Sequence, residues 1–164
     1  MNKEGHVLNA VVLGVGLGFL LEPAGTVETL RTVVAVTIPL SLGALFPDVD
    51  TAFGKHRKTL HNLPVLALFV AFPVVFENLH YVWIGVLTHY VLDYFGSRRG
   101  IALFYPLSST EYGFPSGVTT SSRFANAVTL AITAVELVAA AILLYVLPQY
   151  VDLAAMSELI AVPI

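Results

Sequence analysis

Five apolar runs divide the chain, at about residues 6–21, 29–46, 60–76, 79–95 and 124–147. A helix that crosses a bilayer takes roughly 20 apolar residues, with a range of about 17–25. The last run exceeds that length. The second, third and fourth lie near its lower limit, and the first reaches it only with its flanks. The runs break where turn-forming and helix-stopping residues collect: Glu22-Pro23-Ala24-Gly25, Phe46-Pro47-Asp48, Phe76-Glu77-Asn78, Phe95-Gly96-Ser97 and Leu147-Pro148. Pro39, Pro64 and Pro73 fall within runs or near their ends, where neighbouring helices can satisfy the freed carbonyls. Gly14 and Gly18 form a small-xxx-small pair suited to close helix packing. The same glycines are not a nucleotide loop, because the preceding strand and the GxGxxG spacing are missing. The pattern predicts an all-α, multi-pass transmembrane bundle of about five helices. Residues 1–147 form one membrane-embedded domain, and 148–164 a short C-terminal tail.

Composition supports the membrane. Of the 164 residues 57% are hydrophobic and 12% charged, with a mean hydropathy of +0.81, whereas soluble domains are about a quarter charged. A soluble bundle built from five such runs would have too little polar surface. There is no cysteine, which excludes disulfides and thiolate metal ligands. The net charge of −3 implies no nucleic-acid partner. No small-residue cleavage site follows the first apolar run, so no signal peptide is expected.

Charge distribution then orients the bundle. With five spans, the N-terminus, the 47–59 connector and the 96–123 segment share one side. That side carries Lys3, Lys55, Arg57, Lys58, Arg98, Arg99 and Arg123, against Arg31 alone on the other. The positive-inside rule places the first side in the cytoplasm of a cell bearing this protein in its inner or plasma membrane.

Most of the chain's metal-ligating side chains collect at that end. His6 opens the first run, Asp48 and Asp50 follow the second, His56 lies in the connector and His61 opens the third. The fourth run returns toward the same side and carries His89 and Asp93 in its last half. Only His80 falls at the far end. Singly, each has an ordinary reading as a helix cap, a turn residue or part of a basic juxtamembrane patch. His89 and Asp93 are different: four apart, they share one helix face inside an apolar span, where ionisable groups are costly and paired or functional. Imidazole with carboxylate suits zinc and similar divalent ions, one or two of them, with manganese as an alternative. Asp48 and Asp50, two apart in an extended segment, would point to one side of such a site. A two-ion site clamps a phosphoryl group and activates water.

Four motifs carry a family resemblance: Glu4-Gly5-His6, Leu45-Phe46-Pro47-Asp48-Val49-Asp50, His56-Arg57-Lys58-Thr59-Leu60-His61, and Thr88-His89-Tyr90-Val91-Leu92-Asp93. In order and spacing they resemble the YdjM-like family, described as membrane-bound metal-dependent hydrolases, across residues 4 to about 115. Gly100 and Tyr105-Pro106 extend the likeness. That family is distantly similar to zinc-dependent phospholipase C and P1-type nucleases, which carry an HxxxD pair like His89 and Asp93. The resemblance implies phosphoester hydrolysis. Where the family often reads HRGxTHS, this chain has Lys58, Leu60 and Asn62 in place of Gly, Thr and Ser. No later HxxxE pair is present, so one or two metals are expected and not three.

The expected metal ligands are therefore His6, Asp48, Asp50, His61, His89 and Asp93. Asp50 or His56 is the candidate general base, and Arg57, Arg98 and Arg99 are candidates to hold the substrate's anion. The reading is a membrane-bound hydrolase acting on a phosphoester, plausibly of a phospholipid, through a metal-activated water. The alternative is a non-enzymatic metal-binding or metal-transporting protein, whose polar path would run on through Glu136 and His80. A metal-free scaffold is the third reading. In the fifth run Asn126, Thr129, Thr133 and Glu136 form one polar stripe, which suits packing within the bundle or an oligomer contact.

Overall fold

The computed structural model describes residues 3–115 and 117–150. Among the described residues there are five α-helices: α1 Lys3–Leu21, α2 Val27–Leu45, α3 Leu63–Phe76, α4 Val82–Val91 and α5 Ala125–Ala141. A tight 3-10 turn, Pro47–Ala52, follows α2. Wider π turns, Leu92–Gly96 and Ile142–Val146, extend α4 and α5, and a last short turn covers Leu147–Gln149. The rest of the expected tail, residues 151–164, lies outside the described residues. No strand is present among the described residues; two isolated bridges, Ser97 with Val118 and Ile101 with Tyr112, brace the long connector between α4 and α5.

Local chemistry sets the boundaries. Thr26 caps α2, and its backbone N–H donates to Thr29 Oγ1 at 3.1 Å, which closes a capping box. Asn62 caps α3 by accepting from Val65 N at 3.0 Å, with Pro64 in the first turn where its missing N–H costs nothing. α3 ends at Glu77, in the left-handed region at φ 54.

Among the described residues three stretches are long and apolar enough to cross a membrane: Lys3–Leu21, Val27–Ala52 and Ala125–Gln149. This departs from the five spans read from the sequence. α3 has 14 residues and rises about 21 Å, short of a hydrocarbon core of about 30 Å. The polar connector ends only at Asn62, and the run after Phe76 is broken by two left-handed residues, Glu77 itself and Leu79, so both helices lose residues to their flanks. Leu63 N, at the start of α3, bonds Leu103 O beyond α4 at 2.9 Å, so the α3–α4 pair leaves and returns to one end. The connectors at 47–62 and 97–123 share a side whether or not that pair crosses.

The core lies along α1, α2 and α4. Ala10, Leu13, Leu17, Val36, Leu40 and Ala44 are buried together. A Cβ on Gly14 would stand 2.7 Å from the Thr37 backbone, so α1 and α2 touch as the small-xxx-small pair predicts. At the α2–α4 crossing Gly43 and Gly85 oppose one another, and a Cβ on Gly85 would strike backbone atoms of Leu40 and Ala44. Outward, the surface is apolar: Val74 on α3 is 81% exposed and Val135 on α5 69%. Such residues are expected outside when the solvent is lipid.

Candidate metal centre

Every group expected at the site comes from the end of the bundle where α2 stops, α4 finishes and α1 begins. Pro47 starts the 3-10 turn that carries Asp48 and Asp50. Here the structure corrects the extended reading of that segment. At three residues per turn, side chains two apart point in different directions, so the two carboxylates face different partners. Asp48 Oδ1 lies 3.7 Å from both His61 Nε2 and His89 Nε2 and 3.8 Å from His56 Nδ1. Asp50, fully buried, lies behind the histidines. Its Oδ2 faces His61 Nδ1 at 3.0 Å, its Oδ1 faces His56 Nδ1 at 3.1 Å, and it also accepts from Leu60 N at 3.3 Å.

α4 presents His89 and Asp93 on one face, with His89 Nε2 3.7 Å from Asp93 Oδ2. The same carboxylate oxygen is 3.7 Å from His61 Nε2. The other oxygen, Oδ1, is 3.5 Å from His6 Nε2. His6 stacks on the His89 ring at 3.7 Å between centroids, and neither of its buried ring nitrogens has a hydrogen-bond partner. The ligand atoms fall into two adjoining groups, His6 with His89 and Asp93, and Asp48 with His56 and His61.

Proton accounting shows what these groups fit. His89 Nδ1 faces Ala44 O at 2.6 Å, so that nitrogen donates and Nε2 carries a lone pair. His61 Nδ1 faces the Asp50 carboxylate, which fixes the same tautomer. Yet His61 Nε2 and His89 Nε2 stand 3.1 Å apart. Two lone pairs at that distance repel unless a cation sits between them. Nitrogen and oxygen ligands around one zinc at about 2.0–2.2 Å span tetrahedral edges of roughly 3.3–3.6 Å. The five edges measured among His61, His89, Asp48 and Asp93 are 3.1 Å and four times 3.7 Å. The donor set fits a divalent cation, and the unpartnered His6 nitrogens beside Asp93 Oδ1 fit a second.

The arginines separate. Arg57 is buried, with its guanidinium on Asp93 Oδ1 at 3.4 Å, Ser97 Oγ at 3.0 Å, Gly100 O at 3.4 Å and Arg99 O. Its own carbonyl accepts from Ala102 N at 2.9 Å. Through these bonds its two terminal nitrogens brace Asp93 and the 97–102 segment. Net charge along the sequence could not tell this interior brace from a surface cation. Arg99 forms a two-pronged pair with Glu111, both contacts at 2.8 Å, and Lys58 Nζ lies 3.4 Å from the same carboxylate. The Arg99 hydrogen bonds hold Glu111 below its usual range. A lowered carboxyl contributes stability above its unfolded pKa of about 4.3 and loses it as pH falls below that value. Arg98 is exposed and its side chain has no partner among the described residues.

Some participants were not foreseen. Tyr90 donates to Leu60 O at 2.6 Å and accepts from Asn62 N at 3.2 Å, which staples the histidine connector to α4. Below the site Asn9, Thr88, Thr133 and Glu136 close a buried circle. Asn9 Nδ2 donates to Thr133 Oγ1 at 2.8 Å and Glu136 Oε2 at 2.7 Å, and Thr88 Oγ1 lies 2.6 Å from both Asn9 Oδ1 and Glu136 Oε1. Asn9 follows His6 by three and Thr88 precedes His89, and that spacing was the available signal. The stripe on α5 thus packs inside the bundle, except that Asn126 is exposed. His80 is exposed and bonds Glu77 O at 3.1 Å, outside both ligand groups.

A family model described as YdjM inner membrane protein matches residues 1–156. No curated protein and no solved structure matches the chain.

Proposed function

Because the chain belongs to the YdjM inner membrane protein family, we propose that it is a metal-dependent hydrolase of that membrane, cleaving a phosphoester at the cytoplasmic end of its bundle. The observation that carries the reading is the 3.1 Å approach of His61 Nε2 and His89 Nε2 with both Nδ1 atoms already engaged. His61, His89, Asp48 and Asp93 hold one ion, zinc by donor type and manganese second. His6, with Asp93 Oδ1 beside it at 3.5 Å, serves a second ion. Such ions supply a Lewis acid and a water that ionises near neutral pH.

The chain's own groups do the rest. Asp50 orients His61 as a ligand and His56 as a proton carrier, so it is a positioning residue more than a ligand. His56 is the most exposed of the cluster, with 37% of its side chain open, and it can take a proton from the attacking water and pass it to solvent. Arg98 is the cation left to meet the phosphoryl oxygens. A transport path through Glu136 and His80 has no support from their placement, since one is bound within the bundle and the other lies outside the cluster. In vesicles, a phosphodiester probe should be hydrolysed in a chelator-sensitive way, with activity restored by zinc. His56→Gln should cut kcat roughly 10²–10⁴-fold with metal content unchanged. Turnover that survives both chelation and this variant would refute the proposal.

A further inference from the structure

Between α4 and α5 runs an apolar groove of 440 Å³, lined by Phe95, Phe114, Val128, Ile132, Val135 and Glu136, with Val91 and Ala131. That volume is typical of ligand sites. Glu136 is the one ionisable residue on its wall, and both its oxygens are taken by Asn9 and Thr88. The groove therefore offers a ligand apolar contact alone.

Its rim is different. Val128 N bonds Phe124 O at 3.0 Å, and the Arg123 guanidinium lies 4.7 Å over the Phe124 ring, so this cation stands one turn above the groove wall. Arg98 N bonds Val118 O at 3.3 Å, and Val118 packs with Ile132 around Leu92 and Ala125. Arg98 and Arg123 thus lie in the chain at the end of the slot where α4 stops and α5 begins, three residues after Phe95 and five before Val128. The apolar helix faces of a second copy would leave both cations unmatched, whereas an anionic head group would meet them. We propose that the groove binds an anionic phospholipid of the surrounding bilayer, with one acyl chain along α5 and the phosphate at Arg98 and Arg123. The site shares Arg98 with the proposed phosphoester reading but needs no ion at the histidine cluster, so lipid retention that persists under chelation separates the two.

Native mass spectrometry of the full chain in detergent tests it, with phosphatidylglycerol and phosphatidylcholine of matched chains as probes. The wild type should retain the anionic lipid roughly 30-fold better, as expected from two surface cations. Arg98→Gln with Arg123→Gln should remove that preference. Ala131→Trp, which fills the groove from an exposed position, should lower retention of both lipids about tenfold, and Val135→Trp should do the same. Equal retention of the two lipids by the wild type would overturn the proposal. So would unchanged retention in both Trp variants, or a dimer of the chain found where the lipid adduct is expected.

Discussion

Gly85→Val is expected to separate α4 from α2 and to empty the metal centre. The added Cβ meets the backbone of Leu40, Gly43 and Ala44, and backbone cannot rotate out of the way. The crossing must widen. Overpacking in a closed core costs about 1–3 kcal/mol, and more where nothing can yield. The site feels this directly, because Ala44 O on α2 holds His89 Nδ1 at 2.6 Å. When that bond lengthens, His89 loses its fixed tautomer and its aim. Thermal unfolding in detergent should show a destabilisation of about 3 kcal/mol, and bound metal should fall well below the wild-type value. A variant with wild-type stability and metal would mean that the helices do not cross this closely.

The second large effect concerns Glu136. Glu136→Leu removes the acceptor of Asn9 and one partner of Thr88, leaving a buried amide hydrogen without a bond. Unsatisfied buried donors cost about 1–3 kcal/mol, and hydrogen bonds between membrane helices are worth up to about 1.7 kcal/mol. We expect a loss of about 2–3 kcal/mol and weakened metal binding, since Asn9 and Thr88 stand beside His6 and His89 on their helices. Glu136→Gln should be nearly neutral. The Thr88 hydroxyl has one proton for two oxygens at 2.6 Å, and an amide brings a proton of its own to the circle. A steady-state unfolding series in mixed micelles separates the two variants. Equal damage from both would make the charge of Glu136 its essential property, contrary to the bonding described.

Much of this architecture is readable from residues in order. The long apolar runs mark α1, α2 and α5, and Gly14 with Gly18 marks the α1–α2 contact. Less readable are the features that depend on partners distant in sequence. The apolar runs around α3 and α4 look span-length, yet capping by Asn62 and the left-handed backbone at Glu77 shorten the helices. Gly43 and Gly85 carry no local signal, because each is explained only by the other helix. His6, Asp48, His61, His89 and Asp93 announce themselves as polar residues at one end of an apolar bundle, and the fold brings them together. Asp50 and Arg57 show the limit of that logic. Residue type marks both as groups that could meet a ligand, and it carries no signal of their protein partners: Asp50 contacts two imidazoles and Arg57 contacts Asp93.

The central claim is that the histidine and aspartate cluster holds a divalent ion. The most direct test is elemental mass spectrometry of the full chain, purified in detergent without a histidine tag or added metal, with His89→Ala alongside. The account predicts one or two zinc or manganese ions per wild-type chain and less than half that in the variant. A wild-type chain that carries no metal, even after reconstitution with zinc and manganese, would contradict it.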